Sequence, residues 1–229
     1  MATAAMKSSL VGFALAMAAS LVGVWLIGPN LGGAFWIVVV VALLAPIAAS
    51  GSRDLLSALF SVSGVVVGVA MSATALLSHD AFSVGQALAV AAAAIALGAS
   101  LAATVRLLLL IRFAPVLAGA VVSLLALAWL SWPVWLSPWL TFASSGDWAT
   151  RLAAVHPLLS INAVVQQFGF WTQSKHIYRL TTVGQNFQVG LPSGVMKCAM
   201  FHLVIAVLVS VPLFLCSWVR PASAGHSKR

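Results

Sequence analysis

Between Leu10 and Val219 the chain repeatedly runs about twenty residues with almost no charge, then breaks at a short gap that holds Lys, Arg or Asp. A bilayer core about 30 Å thick needs roughly 20 apolar residues of helix to cross it, and a backbone in lipid must satisfy its own hydrogen bonds. With 62% hydrophobic and 6% charged residues, there is too little polar surface to clothe a soluble core. The expected fold is therefore all-α, a polytopic membrane helix bundle of about six spans.

The spans are read at 10–28, 34–49, 55–77, 82–105, 113–136 and 195–219. The first carries small-residue sequences of the kind signal peptidase accepts, so a cleavable signal is an alternative for Met1 to Ala18. Its apolar run continues to Ile27, which favours a span. Gly28-Pro29-Asn30 and Gly32-Gly33 make the first turn. Leu107 to Ile111, bracketed by Arg106 and Arg112, is read as the connection before span five.

Charge sets the orientation. With the N-terminus inside, Lys7, Arg53, Arg106, Arg112, Arg220, Lys228 and Arg229 all face the cytoplasm and the short outer turns carry no Lys or Arg, while Arg151, Lys175, Arg179 and Lys197 fall outside with the long segment, where the rule is weakest. Both termini are then cytoplasmic. Trp25, Trp36, Trp129, Trp132, Trp135 and Trp139 gather at the outer ends, where indoles favour the interface. An aromatic belt is the plain reading of them, and a stacking surface for an aromatic or lipidic ligand the alternative.

What the spans lack excludes whole classes of function. The chain has no Glu, and Asp54, Asp80 and Asp147 lie at span ends or outside. Ion-coupled transport and intramembrane hydrolysis use a buried ionisable group to bind, relay or attack. The expectation is thus a chain that is not an enzyme, with no cofactor, no metal and no nucleic-acid partner. His202 is the one histidine well inside a span and finds no second imidazole at matching depth for haem ligation. It is expected to pack with a hydrogen bond near the outer interface, and His156, before Pro157, to mark a helix boundary. Cys198 and Cys216 are about 27 Å apart along one helix, too far to bridge, and read as packing residues.

Gly64 and Gly68 form a small-xxx-small pair, a candidate helix-packing face. Residues 143–194 form the long external segment between spans five and six. Trp148 to Phe168 in that segment reads as an amphipathic helix lying on the outer surface or dipping into it, broken near Pro157. Lys175, His176, Tyr178 and Arg179 concentrate hydrogen-bonding groups beyond it, making them the candidate external recognition residues.

Six spans, both ends inside and a long external segment between spans five and six resemble the type-2 ABC exporter permeases. That resemblance is one of topology along most of the chain. It implies short, partly re-entrant external helices between spans five and six, and a cytoplasmic face that meets a separate ATPase. Arg53, Asp54, Arg106 and Arg112 are the residues placed for that contact. The family also carries a charged amphipathic helix before span one and a coupling helix after span two, where this chain has only Met1 to Ser9 and Ser50 to Asp54. From the other class comes a membrane subunit or assembly factor that holds other membrane subunits together. Short turns and a clean charge bias fit a bacterial cytoplasmic membrane.

Overall fold

The computed structural model describes residues 2–27, 31–52, 54–77, 83–135, 146–167 and 194–219. They form eight helices: α1 (Ala2–Ile27), α2 (Leu31–Ser50), α3 (Leu55–Leu77), α4 (Val84–Leu110), α5 (Pro115–Trp135), α6 (Gly146–Val155), α7 (Pro157–Gln167) and α8 (Met196–Val219). No strand occurs among the described residues. Four stretches, Leu55–Ser72, Val84–Leu110, Pro115–Trp132 and Met196–Leu215, are long and apolar enough to cross a membrane, and Ser9–Gly23 and Phe35–Ser50 are shorter apolar helices. Their outer faces are greasy: Leu56, Val116, Leu124 and Leu208 are all exposed. Water would not tolerate so continuous an apolar exterior, whereas hydrocarbon does. The described residues are all-helical, and their apolar helices are those of a membrane protein.

Helix α2 is the axis of the bundle. It packs against α1, α3, α4, α5 and α7, and Ile37, Val38, Val40, Val41, Ala42 and Ala45 are buried along it. The β-branched run costs some helix propensity, but these side chains are stiff and lose little freedom on packing. Pro46 lies inside α2 and removes one backbone donor. Near that break, the Ser123 hydroxyl of α5 donates to the Leu43 carbonyl at 3.2 Å, so a polar contact between helices sits where the ladder is weakest.

Small residues let the backbones approach. A Cβ on Gly64 would collide with the backbone carbonyl of Ser9, and one on Gly68 would lie 2.6 Å from the Phe13 carbonyl. Both glycines therefore face α1 within the same chain, and α1 and α3 form the most extensive helix pair. Gly98 of α4 meets Val62 and Val66 of α3 in the same way, at 3.1 and 3.2 Å. Without a hydrophobic drive between helices in lipid, such close dispersion contact is what holds them.

One end of the bundle is basic. The Arg106 guanidinium of α4 donates to the Ser52 carbonyl at 2.6 Å, tying the α4 terminus to the α2–α3 connection. Asp54 caps α3 by accepting from the Ser57 amide at 2.7 Å. Helix α4 continues through Leu107–Leu110, which the sequence reading had assigned to a connection. Four leucines are good helix formers and nothing breaks the chain until Pro115. It ends in a Schellman turn: the Arg112 amide donates to the Leu109 carbonyl and the Phe113 amide to the Leu108 carbonyl, with Arg112 at φ 72°.

The opposite end is rich in tryptophan, but not as a simple belt. Trp25 is exposed, whereas Trp36 folds over Gly23 and donates its indole N–H to the Ala19 carbonyl at 2.9 Å, pinning α2 to α1. Trp132 is buried and Trp129 packs beside it. The stretch between α5 and α8 is broken where expected, at His156 before Pro157, and α7 then turns inward to pack on α2 and α4, with Ser160, Ile161 and Asn162 buried.

These contacts make a direct prediction. Gly64→Ala places a methyl group against backbone that cannot move aside, and should cost about 1–3 kcal/mol by overpacking. Gly51→Ala, with nothing within 4 Å of the new Cβ, should stay within about 0.5 kcal/mol of the parent. Denaturant titration of both variants in detergent micelles measures the difference.

Candidate functional site

The densest cluster of polar and aromatic side chains lies where α4, α5, α8 and the α6–α7 elbow meet. Four elements contribute to it: Trp129 and Trp132 from α5, His156 from the elbow, Phe201 and His202 from α8, and Ser100 from α4. The Trp129 ring lies 5.7 Å from His156 and 6.2 Å from Phe201, stacked at 28° on the latter. Trp132 meets His156 edge-on at 5.7 Å, and Phe201 meets His202 edge-on at 5.4 Å. Spacing of three residues puts Trp129 and Trp132 on one face of α5, and that face looks into the bundle.

His156 is held from both sides. Its Nδ1 accepts from the Leu159 amide at 3.3 Å, and Nε2 lies 3.1 Å from the Trp129 carbonyl. An acceptor at Nδ1 assigns the proton to Nε2, which therefore donates to Trp129. The ring is the N-cap of α7, with Pro157 at the first helical position where its missing N–H costs nothing. Burial pushes the imidazole down to about 4, outweighing the pull of the carbonyls of Trp129 and Leu130. A neutral histidine thus latches the α6–α7 elbow onto α5.

His202 is buried too, but only half engaged. The Ser100 hydroxyl donates to the Leu97 carbonyl at 2.7 Å, leaving its oxygen to accept from His202 Nδ1 at 3.3 Å. Nε2 is then a bare acceptor, and it has no partner. The indole nitrogens of Trp129 and Trp132 are also buried without partners. Beside these rings, α4, α5 and α8 line an open cavity of about 280 Å³ whose walls include Leu97, Ser100, Ala126, Trp129, Phe201 and His202.

Sequence reasoning treated His156 and His202 as separate residues. The structure brings both to the Trp129–Phe201 stack, although His156 spends both nitrogens on backbone and has none left for a ligand. The signal was faint: a His-Pro dipeptide after a helical stretch, and two tryptophans three apart. No group of three or more His, Cys, Asp or Glu side chains gathers among the described residues. Asp54 is exposed at the basic end, Arg112 is exposed beyond α4, and Arg106 is half-buried between them. Gly64 and Gly68 lie between α1 and α3. Arg53, Lys175, His176, Tyr178 and Arg179 lie outside the described residues. No family model, no curated protein and no solved structure matches the chain.

The latch predicts how stability depends on pH. His156 is neutral when folded and has an ordinary pKa near 6.5 when unfolded, so the unfolded chain binds the extra proton between about pH 6.5 and 4. Stability should therefore fall as pH drops through that window, by on the order of 3 kcal/mol, and then level off. His156→Asn keeps a capping oxygen but does not titrate. Its melting curves should lose that part of the pH dependence between pH 7 and 4 while starting about 1–2 kcal/mol below the parent.

Proposed function

We propose that the chain is a six-span protein of a bacterial cytoplasmic membrane, N-in and C-in, and the permease-like subunit of a multi-component transporter. The observation that carries this reading is the inward fold of α7. A segment that joins two spans on the outer side packs between α2 and α4 and buries Ser160, Ile161 and Asn162 there. Polar side chains cost free energy inside a bundle unless they find partners, so a helix placed there plugs the outer half. On this reading α6 and α7 are the external gate, and the His156–Trp129 bond holds it shut.

The basic end serves as the partner face. Arg112 occupies a left-handed position that glycine takes without cost, whereas an L-residue with a side chain costs about 1–2 kcal/mol there. A cation kept at such a position is an argument for contact outside the chain. Catalysis belongs to the separate ATPase. The serine hydroxyls of the spans mostly donate to carbonyls of their own helices, as Ser63, Ser72, Ser131 and Ser210 do, which is not the arrangement of an activated nucleophile. A second reading, a non-catalytic scaffold subunit, is favoured by the broad apolar face that α8 leaves uncovered.

Arg112→Gly separates these roles. It should stabilise the isolated chain by about 1 kcal/mol, because glycine relieves the left-handed strain. On the permease reading it should also weaken retention of an ATP-hydrolysing partner through affinity purification in mild detergent. Purification with no ATPase overturns the permease reading, and other membrane subunits in its place support the scaffold. Single cysteines at Arg112 and Lys175 should react with impermeant maleimide from opposite faces of sealed vesicles. Labelling from one face overturns the six-span layout.

A further inference from the structure

We infer that the cavity between α4, α5 and α8 is a binding site for a small lipid-soluble molecule bearing one hydroxyl, an alcohol or a phenol, which donates to His202 Nε2. Its volume of about 280 Å³ lies at the lower end of the range for small-molecule sites, and its walls are almost wholly apolar. Such walls select an apolar body. The cavity is flanked by Leu125 and Phe201, both exposed on the flank of the bundle, so entry is sideways from the hydrocarbon rather than from water.

The polar requirement comes from the unpartnered nitrogens. His202 is 4% exposed, its Nδ1 proton is spent on Ser100, and its Nε2 lone pair has no donor. Trp129, another wall residue, carries a buried indole N–H with no acceptor. An unmet buried acceptor is costly, and no water comes readily from the lipid side to meet it. A hydroxyl is the smallest group that both donates and accepts, so it answers both kinds of vacancy. The wall is apolar and Nε2 lies behind it, so the inferred binding mode includes a turn of the His202 ring that brings Nε2 to the cavity. A second cavity of about 340 Å³, beside Val11, Leu15, Leu44 and Ile47, has no such nitrogen and makes no such demand.

This assignment does not depend on the transport reading, since a scaffold subunit would carry the same cleft. Its test uses the full chain in phosphatidylcholine nanodiscs and a diazirine-tagged alkylphenol. After irradiation, mass spectrometry should place the label on α4, α5 and α8 around Leu97, Ala126 and His202. Excess 4-hexylphenol should protect these positions about tenfold better than 4-hexylanisole, the ether that cannot donate. His202→Phe should erase that difference, and Ala126→Phe, which fills the cleft, should abolish labelling. Equal protection by phenol and ether on the unaltered chain overturns the hydroxyl assignment whether or not either variant folds. Labelling spread over all lipid-facing helices, with no protection by either compound, overturns the site.

Discussion

A peptide group surrounded by hydrocarbon has no water to bond when its partner is lost, and that constraint shapes this protein at every level. It requires helices, and it requires that each break in a helix be repaired locally. The repairs are visible. Ser123 supports α2 beside Pro46, Ser83 and Gln86 form a capping box at the start of α4, and His156 caps α7. Serine and threonine elsewhere fold back onto their own helices, as Ser100 and Thr104 do. Five buried side-chain atoms among the described residues are left without a partner, Ser20 Oγ, Gln86 Nε2, the indole nitrogens of Trp129 and Trp132, and His202 Nε2, and the last three belong to one cluster.

The same constraint explains why the helices are held by shape. Glycine at positions 64, 68 and 98 brings α1, α3 and α4 within dispersion range, and the stiff valines of α2 fill the space between. Helix α8 differs. Only 17% of its apolar window is buried, and it leans chiefly on α4. It lies at the edge of the bundle and forms one wall of the cavity beside His202.

Much of the helical layout was legible in the sequence because hydropathy and turn residues act locally. Gly28-Pro29-Asn30 and Ser50-Gly51-Ser52 separate apolar runs without reference to anything distant. The elbow's position was legible in His156-Pro157, but not what it packs against. His156 and Trp129 are 27 residues apart, and their contact exists only because α7 turns inward, which no periodicity announces. The tryptophans misled for a related reason: an indole at a span end looks the same in sequence whether it faces headgroups, as Trp25 can, or donates to a neighbouring carbonyl, as Trp36 does. Leu107–Leu110 misled because two arginines framed it, yet charge beside a helix end does not terminate a helix; Pro115 and the turn at Arg112 do.

The elbow and the cavity also share one residue, Trp129. Trp129 gives its carbonyl to His156 and its ring to Phe201, so α5 is the common support of the latch on one side and the cavity on the other. Because its side chain lies against Phe201 and its backbone against His156, movement of the elbow cannot leave the cavity wall untouched. Shared support of that kind needs no long pathway, only a packed ring with a partner on each side.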